Sequence, residues 1–384
     1  MKRPPPLRTD GSNAFAHHTM QVRVPRIARD VVERERLPPR TCEAIERLAR
    51  DVEEGRPLPA PGPPAPDLET WTAIHAEHPG ESWLAAGWFH AEHVFYRELA
   101  RACRFWETGA DPFDGAKEQE LSDERPWDRL AEAMARGGTR EERVMRLLGA
   151  SLWGNRVDLS YAAASEHGEP GDSDLLVDER SVALPWLLRA GPHVHVVTDN
   201  AGTELVLDLA LVDALLEDAA ARVTVHVKIQ PAFVSDATAR DVWRTLERMH
   251  QREGDARALA SRLRAAFDDE RLRLVPDPFW SGSRFLWRAP EHLAAALASA
   301  TLVVVKGDAS YRRVVGDARW PADVPMAEVA DYLRSPTICL RTMKSDPVVG
   351  LPRGLAERLD ASDPRWRIDG RRGVAQAVVP RGAC

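Results

Sequence analysis

The segment Thr198-Asp199-Asn200-Ala201-Gly202-Thr203-Glu204 begins inside the apolar run HVHVVT (193–198), and three further runs end in a comparable way. RVTVHVK (222–228) is followed by Ser235-Asp236. TLVVVK (301–306) passes into Lys306-Gly307-Asp308-Ala309-Ser310-Tyr311-Arg312, and TICLRT (337–342) into Arg341-Thr342-Met343-Lys344. Carboxylate and amide oxygens suit hard cations such as Mg²⁺ or Mn²⁺. Lys, Arg and backbone N–H groups suit phosphate oxygens. A metal that polarises a phosphoryl group is the usual arrangement for phosphoryl chemistry. Asp199 alone would serve equally well as the cap of a helix starting near Gly202. Four such endings together point to a metal-dependent enzyme acting on a phosphorylated small molecule.

The elements that must position these residues are legible from periodicity. The runs at 193–198, 222–228, 271–275, 301–306 and 337–342 read as strands. Between them, 204–220, 237–268 and 290–300 carry helical patterning. Strands alternating with helices predict an α/β fold with a largely parallel sheet, right-handed crossovers and helices on both faces, a Rossmann-like three-layer arrangement. In such a sheet the ligand crevice lies outside the carboxyl ends of the strands, where the polar endings fall. The chain before about residue 185 reads as mostly helical, with amphipathic segments at 41–54, 82–106 and 126–150. PLPAPGPPAP (57–66), with six prolines in ten residues, predicts an extended surface connection. ASEHGEPGDSDLL (164–176) reads as a loop. The expected organisation is a mostly helical N-terminal domain at 15–185, an α/β metal- and substrate-binding domain at 186–360, and a peripheral tail at 361–384.

Composition narrows the function classes. The 384 residues carry 52 Lys+Arg and 59 Asp+Glu, a formal net charge of −7, which argues against holding nucleic acid by bulk charge. No run approaches the ~18–20 apolar residues of a membrane span, so no membrane partner is expected. The first thirty residues lack the apolar core of a signal peptide. Cys42, Cys103, Cys339 and Cys384 lie far apart, which excludes a cysteine zinc motif and a disulfide framework. A reduced, cytoplasmic protein is the expectation.

Seven ordered blocks carry a family resemblance: SWLAAGWFHAEHVFYREL (82–99), LWGNRVDLS (152–160), VTDNAGTELVLDLALVDALL (197–216), FVSDAT (233–238), PFW (278–280), VVKGDASYRRVVGD (304–317) and LRTMKSDPVVGL (340–351). They resemble the metal-dependent damage-control phosphatases, in the branch also called acidic-residue or protein-glutamate O-methyltransferase. Its hallmark is an RTxK motif near the C-terminus, and 384 − 344 leaves 40 residues after Lys344. The resemblance covers roughly residues 15–355. It implies a divalent metal (Mn²⁺, Co²⁺, Ni²⁺ or Mg²⁺) on Asp199, Asn200 and Asp236. It implies substrate binding by Asp308, Ala309, Ser310, Tyr311, Arg312 and Lys344, with Asn155 and Glu204 beside them. Asp199, Asn200, Asp308 and Lys344 form the implied catalytic set. Lys344 and Arg312 would stabilise charge on the transferred group, and Asp308 would orient water or contact a sugar. The implied activity is phosphate removal from small sugar phosphates, fructose phosphates among them, and related reactive metabolites. Two departures stand out. DASYR replaces the family's DLNYR, so Ser310 removes an amide, and DNAGTE replaces DNSGFE while keeping the metal pair.

Other readings are weaker. A haloacid-dehalogenase phosphatase needs Asp-x-Asp-x-Thr, and Ala201 occupies the second acid's position. A methyltransferase using S-adenosylmethionine would ordinarily carry GxGxxG, which occurs nowhere in the chain. A non-catalytic metabolite-binding protein keeps the substrate-loop departure in its favour. The motifs His75-Ala-Glu-His78 and His90-Ala-Glu-His93 could bind a transition metal but have no evident third ligand, so solvent-facing or packing histidines are expected. Trp83, Trp88, Phe89 and Tyr96 read as core or interface, Glu92 and Arg97 as a buried pair or cleft lining, and His193 and His195 as sheet packing.

Overall fold

The computed structural model describes residues 2–135, 137–154, 171–218 and 220–382. Its centre is a seven-stranded sheet: β1 (Leu175–Asp178), β2 (His193–Val197), β3 (Arg222–Val227), β4 (Leu272–Pro276), β5 (Leu302–Lys306), β6 (Thr337–Thr342) and β7 (Gly373–Val378). The order is β1-β7-β6-β5-β2-β3-β4. All neighbours pair in parallel except β6 and β7. The five strands expected from the Val-rich runs are β2 to β6.

Side-chain alternation assigns the two faces of the sheet. Val194, Val196, Val223, Val225, Leu302, Val304, Ile338 and Leu340 join one core, with the helices Arg140–Gly154, Thr203–Leu215, Ala239–Gln251 and Asp255–Asp268. Val197, Val303, Val305 and Cys339 point to the other, with Trp280, Tyr311 and Trp366. Every residue of Thr203–Leu215 is buried, as expected of a helix apolar on nearly all sides. A third core, including Met20, Val24, Ile45, Trp71, Trp83, Trp88 and Phe95, belongs to the N-terminal helical layer. The proline-rich stretch runs extended between the helices Pro39–Glu53 and Leu68–Ala76. No helix among the described residues is long and apolar enough to cross a membrane.

Two expectations are corrected. The tail after residue 360 is not peripheral: β7 lies between β1 and β6, with Val374 and Ala375 fully buried. GVAQAV carries little strand propensity, and pairing on both sides fixes it instead. Leu175–Asp178, inside the part expected to be mostly helical, is an edge strand, and the loop expected at 164–176 ends in it. The helical stretch expected over 82–106 is the helix Trp88–Ala102, with Gly87 as its N-terminal cap residue, followed by the short helix Phe105–Thr108.

On the face of Trp280, His195 Nδ1 lies 2.9 Å from His226 Nε2, and His193 Nε2 lies 3.0 Å from Thr224 Oγ1. Burial pushes the His195 pKa down to about 4 and that of His226 to about 3, with neighbouring histidines adding to the effect. Both rings are therefore neutral in the fold, whereas the unfolded chain protonates them near the ordinary value of about 6.5. Their contribution is intact above that value and is lost as pH falls toward the folded values. The expected loss is roughly 2 kcal/mol per ring by about pH 5. Urea unfolding at about pH 7.5 and pH 5, with ring-resonance titration by NMR, measures it. Either ring titrating near its ordinary value would contradict the assignment.

Candidate active site

At the carboxyl edge of β2, β3, β5 and β6 a cavity of about 70 Å³ opens between the sheet and the helical layer. This is room for a few waters or a small charged group. Asp199, Asn200, Asp236, Asp308, Ala309, Arg312 and Lys344 line it from the α/β side. Phe15, Thr19, Arg23, Val24, Ile27, Trp88, Glu92 and Tyr96 line it from the helical layer, and Phe233 from the loop after β3.

The loops after β2 and β3 are laced together by backbone hydrogen bonds. Ala237 N–H donates to Asp199 O at 2.8 Å and Ala201 N–H to Ser235 O at 2.6 Å. The Ser235 hydroxyl donates to Asn200 Oδ1 at 2.8 Å, which turns Asn200 Nδ2 toward Glu204 Oε2 (2.8 Å) and Asp199 Oδ2 (3.1 Å). Phe233 and Val234 have φ of 46° and 72°, a left-handed backbone unusual for such residues, just before Asp236. From the helix Asp114–Ser122, buried Lys117 donates to Asp236 O at 3.0 Å and to Asp111 and Asp241, both at 2.9 Å. Glu120 of the same helix caps the helix Thr203–Leu215, accepting from Thr203 N–H at 2.9 Å and its hydroxyl at 2.6 Å.

The helix Asp308–Val315 begins at the end of β5. Its positions 308, 309 and 312 face the cavity, as helical spacing dictates. Asp308 Oδ1 accepts from Arg341 Nε at 2.7 Å and from Lys344 N–H at 3.0 Å. Burial opposes ionisation of Asp308, yet Arg341, Arg312 and these hydrogen bonds outweigh it and hold its carboxyl below the ordinary value. Arg341 is fully buried, donates further to Ser345 and Pro347, and stacks over Tyr311 at 4.3 Å. It fixes the strand end rather than facing the cavity.

Other expected residues stand elsewhere. Tyr311 turns into the core, where its hydroxyl donates to Gln376 Oε1 at 2.9 Å and accepts from Val349 N–H at 3.2 Å. Ser310 is buried off the cavity lining, so the serine-for-asparagine departure does not fall on the cavity wall. Glu204 lies one layer back, 2.6 Å from Lys306 Nζ and joined to the site through Asn200. Arg312 lines the cavity, but its Nε and Nη2 bind Asp317 (2.7 and 3.1 Å) and its Nη1 binds Glu92 (2.8 Å). Glu92 is therefore not paired with Arg97, which bonds Asp67 at 3.0 Å. Asn155, and Asp158 with it, lies outside the described residues.

The donor set fits a divalent cation. Burial, with the charges of Glu204 and Asp236 next, pushes the Asp199 carboxyl well above its ordinary value, against the opposing Lys228 and Lys344. Two mutually repelling carboxylates and an amide that line one cavity supply the hard oxygens such an ion needs. Residues 19–359 match the Damage-control phosphatase ARMT1-like domain. The chain belongs to this family. The damage-control phosphatase ARMT1 of Danio rerio is 27% identical over 441 residues, covering 98% of this chain and 97% of that protein. The protein of the same name from Rattus norvegicus is 34% identical over 266 residues, 62% of this chain and 60% of its own. That of Homo sapiens is 27% identical over 82% of this chain and 79% of its own. A crystal structure of a DUF89 family protein from Pyrococcus horikoshii aligns over 94% of this chain and 96% of that one, with 14% identity and a TM-score of 0.48.

Thr19, Arg23 and Phe15 on the cavity wall, and Lys117 behind it, escaped the sequence reading. The first three belong to a segment of unremarkable composition that includes a π-helical turn at Thr19–Arg23. Lys117 is a lone lysine on a polar helix.

Gly307, with φ of +86°, passes directly over Asp199, and a Cβ there would stand 2.0 Å from the Asp199 carboxylate. Gly307→Ala should displace that carboxylate and strain the backbone. Turnover should fall by ~10²-fold, the scale of a misplacement of about 1 Å. Calorimetric Mn²⁺ titration should show weakened binding in parallel. Wild-type Mn²⁺ affinity in this variant would contradict the close approach.

Proposed function

We propose that the chain is a metal-dependent phosphomonoesterase acting on small phosphorylated metabolites, sugar phosphates such as fructose phosphates among them. The observation that carries this reading is the single cavity in which Asp199, Asn200 and Asp236 meet Asp308 and Lys344. In this reading Asp199, Asn200 and Asp236 hold Mn²⁺, Co²⁺, Ni²⁺ or Mg²⁺. The bound cation supplies Lewis acidity at the phosphoryl group. Lys344 sets its ammonium on a phosphoryl oxygen as a point charge. Asp308, anchored by Arg341 and kept ionised, accepts a hydrogen bond from the attacking water or a sugar hydroxyl. Arg312, occupied by Asp317 and Glu92, holds the wall in place rather than contacting the phosphoryl group. Trp88, Tyr96 and Phe233 give the carbon skeleton an apolar surface and limit water around the reacting group. A reducing cytoplasm suits the free thiols of Cys42, Cys103 and Cys339.

A metal-by-substrate screen of phosphate release tests this directly. Activity should vanish with a chelator and return with one of the four ions. Asp199→Ala should lose most metal and turnover while remaining folded. Full activity in EDTA would overturn the reading, and methyl transfer from labelled S-adenosylmethionine to a carboxylate acceptor would replace it.

Phosphate recognition should separate from metal binding. Protonated Lys344 cannot ligate a cation, so Lys344→Ala should leave Mn²⁺ affinity close to wild type. Its kcat/KM for phosphorylated substrates should fall by ~10²–10³-fold, the scale for one positioned charge-stabilising group. Lys344→Arg should rescue poorly, because a planar fork does not replace a point charge. Wild-type turnover in Lys344→Ala, or loss of Mn²⁺ binding as complete as in Asp199→Ala, would refute this division of labour.

A further inference from the structure

The two His-Ala-Glu-His motifs meet away from the cleft, and the pairing runs across them rather than within either. His78 lies in the turn after the helix Leu68–Ala76, and His90 in the first turn of the helix Trp88–Ala102. Their rings stack with centroids 3.8 Å apart. Glu81 Oε2 lies 3.1 Å from His78 Nδ1. One ligand atom from each of His78, Glu81 and His90 lies within 4.8 Å of the others. None of the three lines the cavity, and His90 projects from the helix face opposite Trp88 and Glu92.

The decisive atom is His90 Nε2. His90 is 4% exposed, its Nδ1 lies 2.9 Å from Ser283 Oγ, and its Nε2 is buried without a hydrogen-bond partner. An unsatisfied buried polar atom costs about 1–3 kcal/mol. With Nδ1–H donated to the Ser283 hydroxyl, Nε2 presents its lone pair, which is how a metal-bound imidazole is usually oriented. Arg8 Nη1, 3.5 Å from Glu81 Oε1, steadies the other carboxylate oxygen.

We propose that His78, Glu81 and His90 form a second metal site, separate from the cleft, that takes a borderline transition ion such as Zn²⁺. Two imidazoles and one carboxylate suit zinc, whereas Mg²⁺ prefers an all-oxygen shell. An ion must lie in the plane of each ring at about 2.0–2.1 Å, so the stacked rings must part. His78, half-buried in a turn, makes that rotation while Ser283 holds His90 in place. Water or nearby His75 completes the shell. The ion would fasten the 78–81 turn to the helix Trp88–Ala102 and, through Ser283, to the loop after β4.

Co²⁺ serves as the spectroscopic probe. The full chain is stripped with chelator, given excess Mg²⁺ to favour the oxygen-donor cleft, and titrated with Co²⁺. One equivalent should produce the visible bands of a tetrahedral nitrogen-ligated ion, and Zn²⁺ should displace it. His78→Gln and Glu81→Gln should each abolish the bands while Mg²⁺-supported phosphatase turnover persists. Ser283→Ala should weaken Co²⁺ affinity ~10-fold or more by freeing the His90 ring. Asp236→Asn should leave the bands in place. The proposal is overturned if wild type shows no such bands, if they survive in both His78→Gln and Glu81→Gln, or if Asp236→Asn removes them.

Discussion

Charge buried at the carboxyl edge of the sheet must be balanced, and much of the surrounding structure follows from that constraint. Three clusters each set two carboxylates on one cation. Lys306 meets Glu204 and Asp208, Lys117 meets Asp111 and Asp241, and Arg312 meets Glu92 and Asp317. Removing one partner from a buried pair costs about 3–5 kcal/mol, so the clusters hold their elements in register. Asp199 and Asp236 form a further acidic corner, opposed by Lys228 and Lys344. Lys344 and Arg23 on the cavity lining add positive charge beside it. Burial first, and then the charges of Glu204 and Asp236, makes Asp199 hard to ionise, and in the proposed reading a doubly charged cation offsets that cost.

Rigid elements deliver these groups. Asp199 and Asn200 leave β2 and are stitched to the loop after β3 by paired backbone bonds, and Asp236 is held from behind by Lys117. Asp308 sits at the N-terminus of a helix that starts directly from β5, where the backbone's partial positive charge favours its carboxylate. Gly307 lets that backbone pass against Asp199. A side chain there would separate the two carboxylates that the site needs together.

The central sheet was legible because β2 to β6 are short apolar runs separated by helical patterning. The strands that escaped notice lack those signals. β7 sets its two valines among Gly, Ala and an internal Gln, and four-residue β1 follows a polar stretch, so long-range pairing rather than local preference defines both. Among residues that line the cavity, Asp199, Asn200, Asp236, Asp308 and Lys344 were readable because polar types terminate apolar strands, while Ala309 came only with its motif. Ser310 and Tyr311 were drawn in by contiguity along a motif. The helix beginning at Asp308 turns them away, since only residues three or four apart share a face. Thr19 and Arg23 had no local signal, because tertiary packing alone brings their segment over the sheet.

That packing gives Arg312 a different meaning from the one its motif suggests. Asp317, which grips Arg312 through both carboxylate oxygens, also accepts from Phe89 N–H at 3.1 Å, and its carbonyl accepts from Leu7 N–H at 2.7 Å. Glu92, one helical turn beyond Trp88, closes the cluster, and the guanidinium lies 3.9 Å over the Trp88 ring. Asn13 Nδ2 reaches Asp346 Oδ2 at 2.5 Å, tying the first helix to the loop that carries Lys344. The two walls of the cavity are therefore set against each other by one buried ion cluster and a few N-terminal contacts. The charge-bearing wall comes from strand ends and is fixed by the sheet. The facing wall, with Thr19, Arg23, Trp88 and Tyr96, comes from the helical layer and is tied to the first through Arg312, which bonds Glu92 and stacks over Trp88.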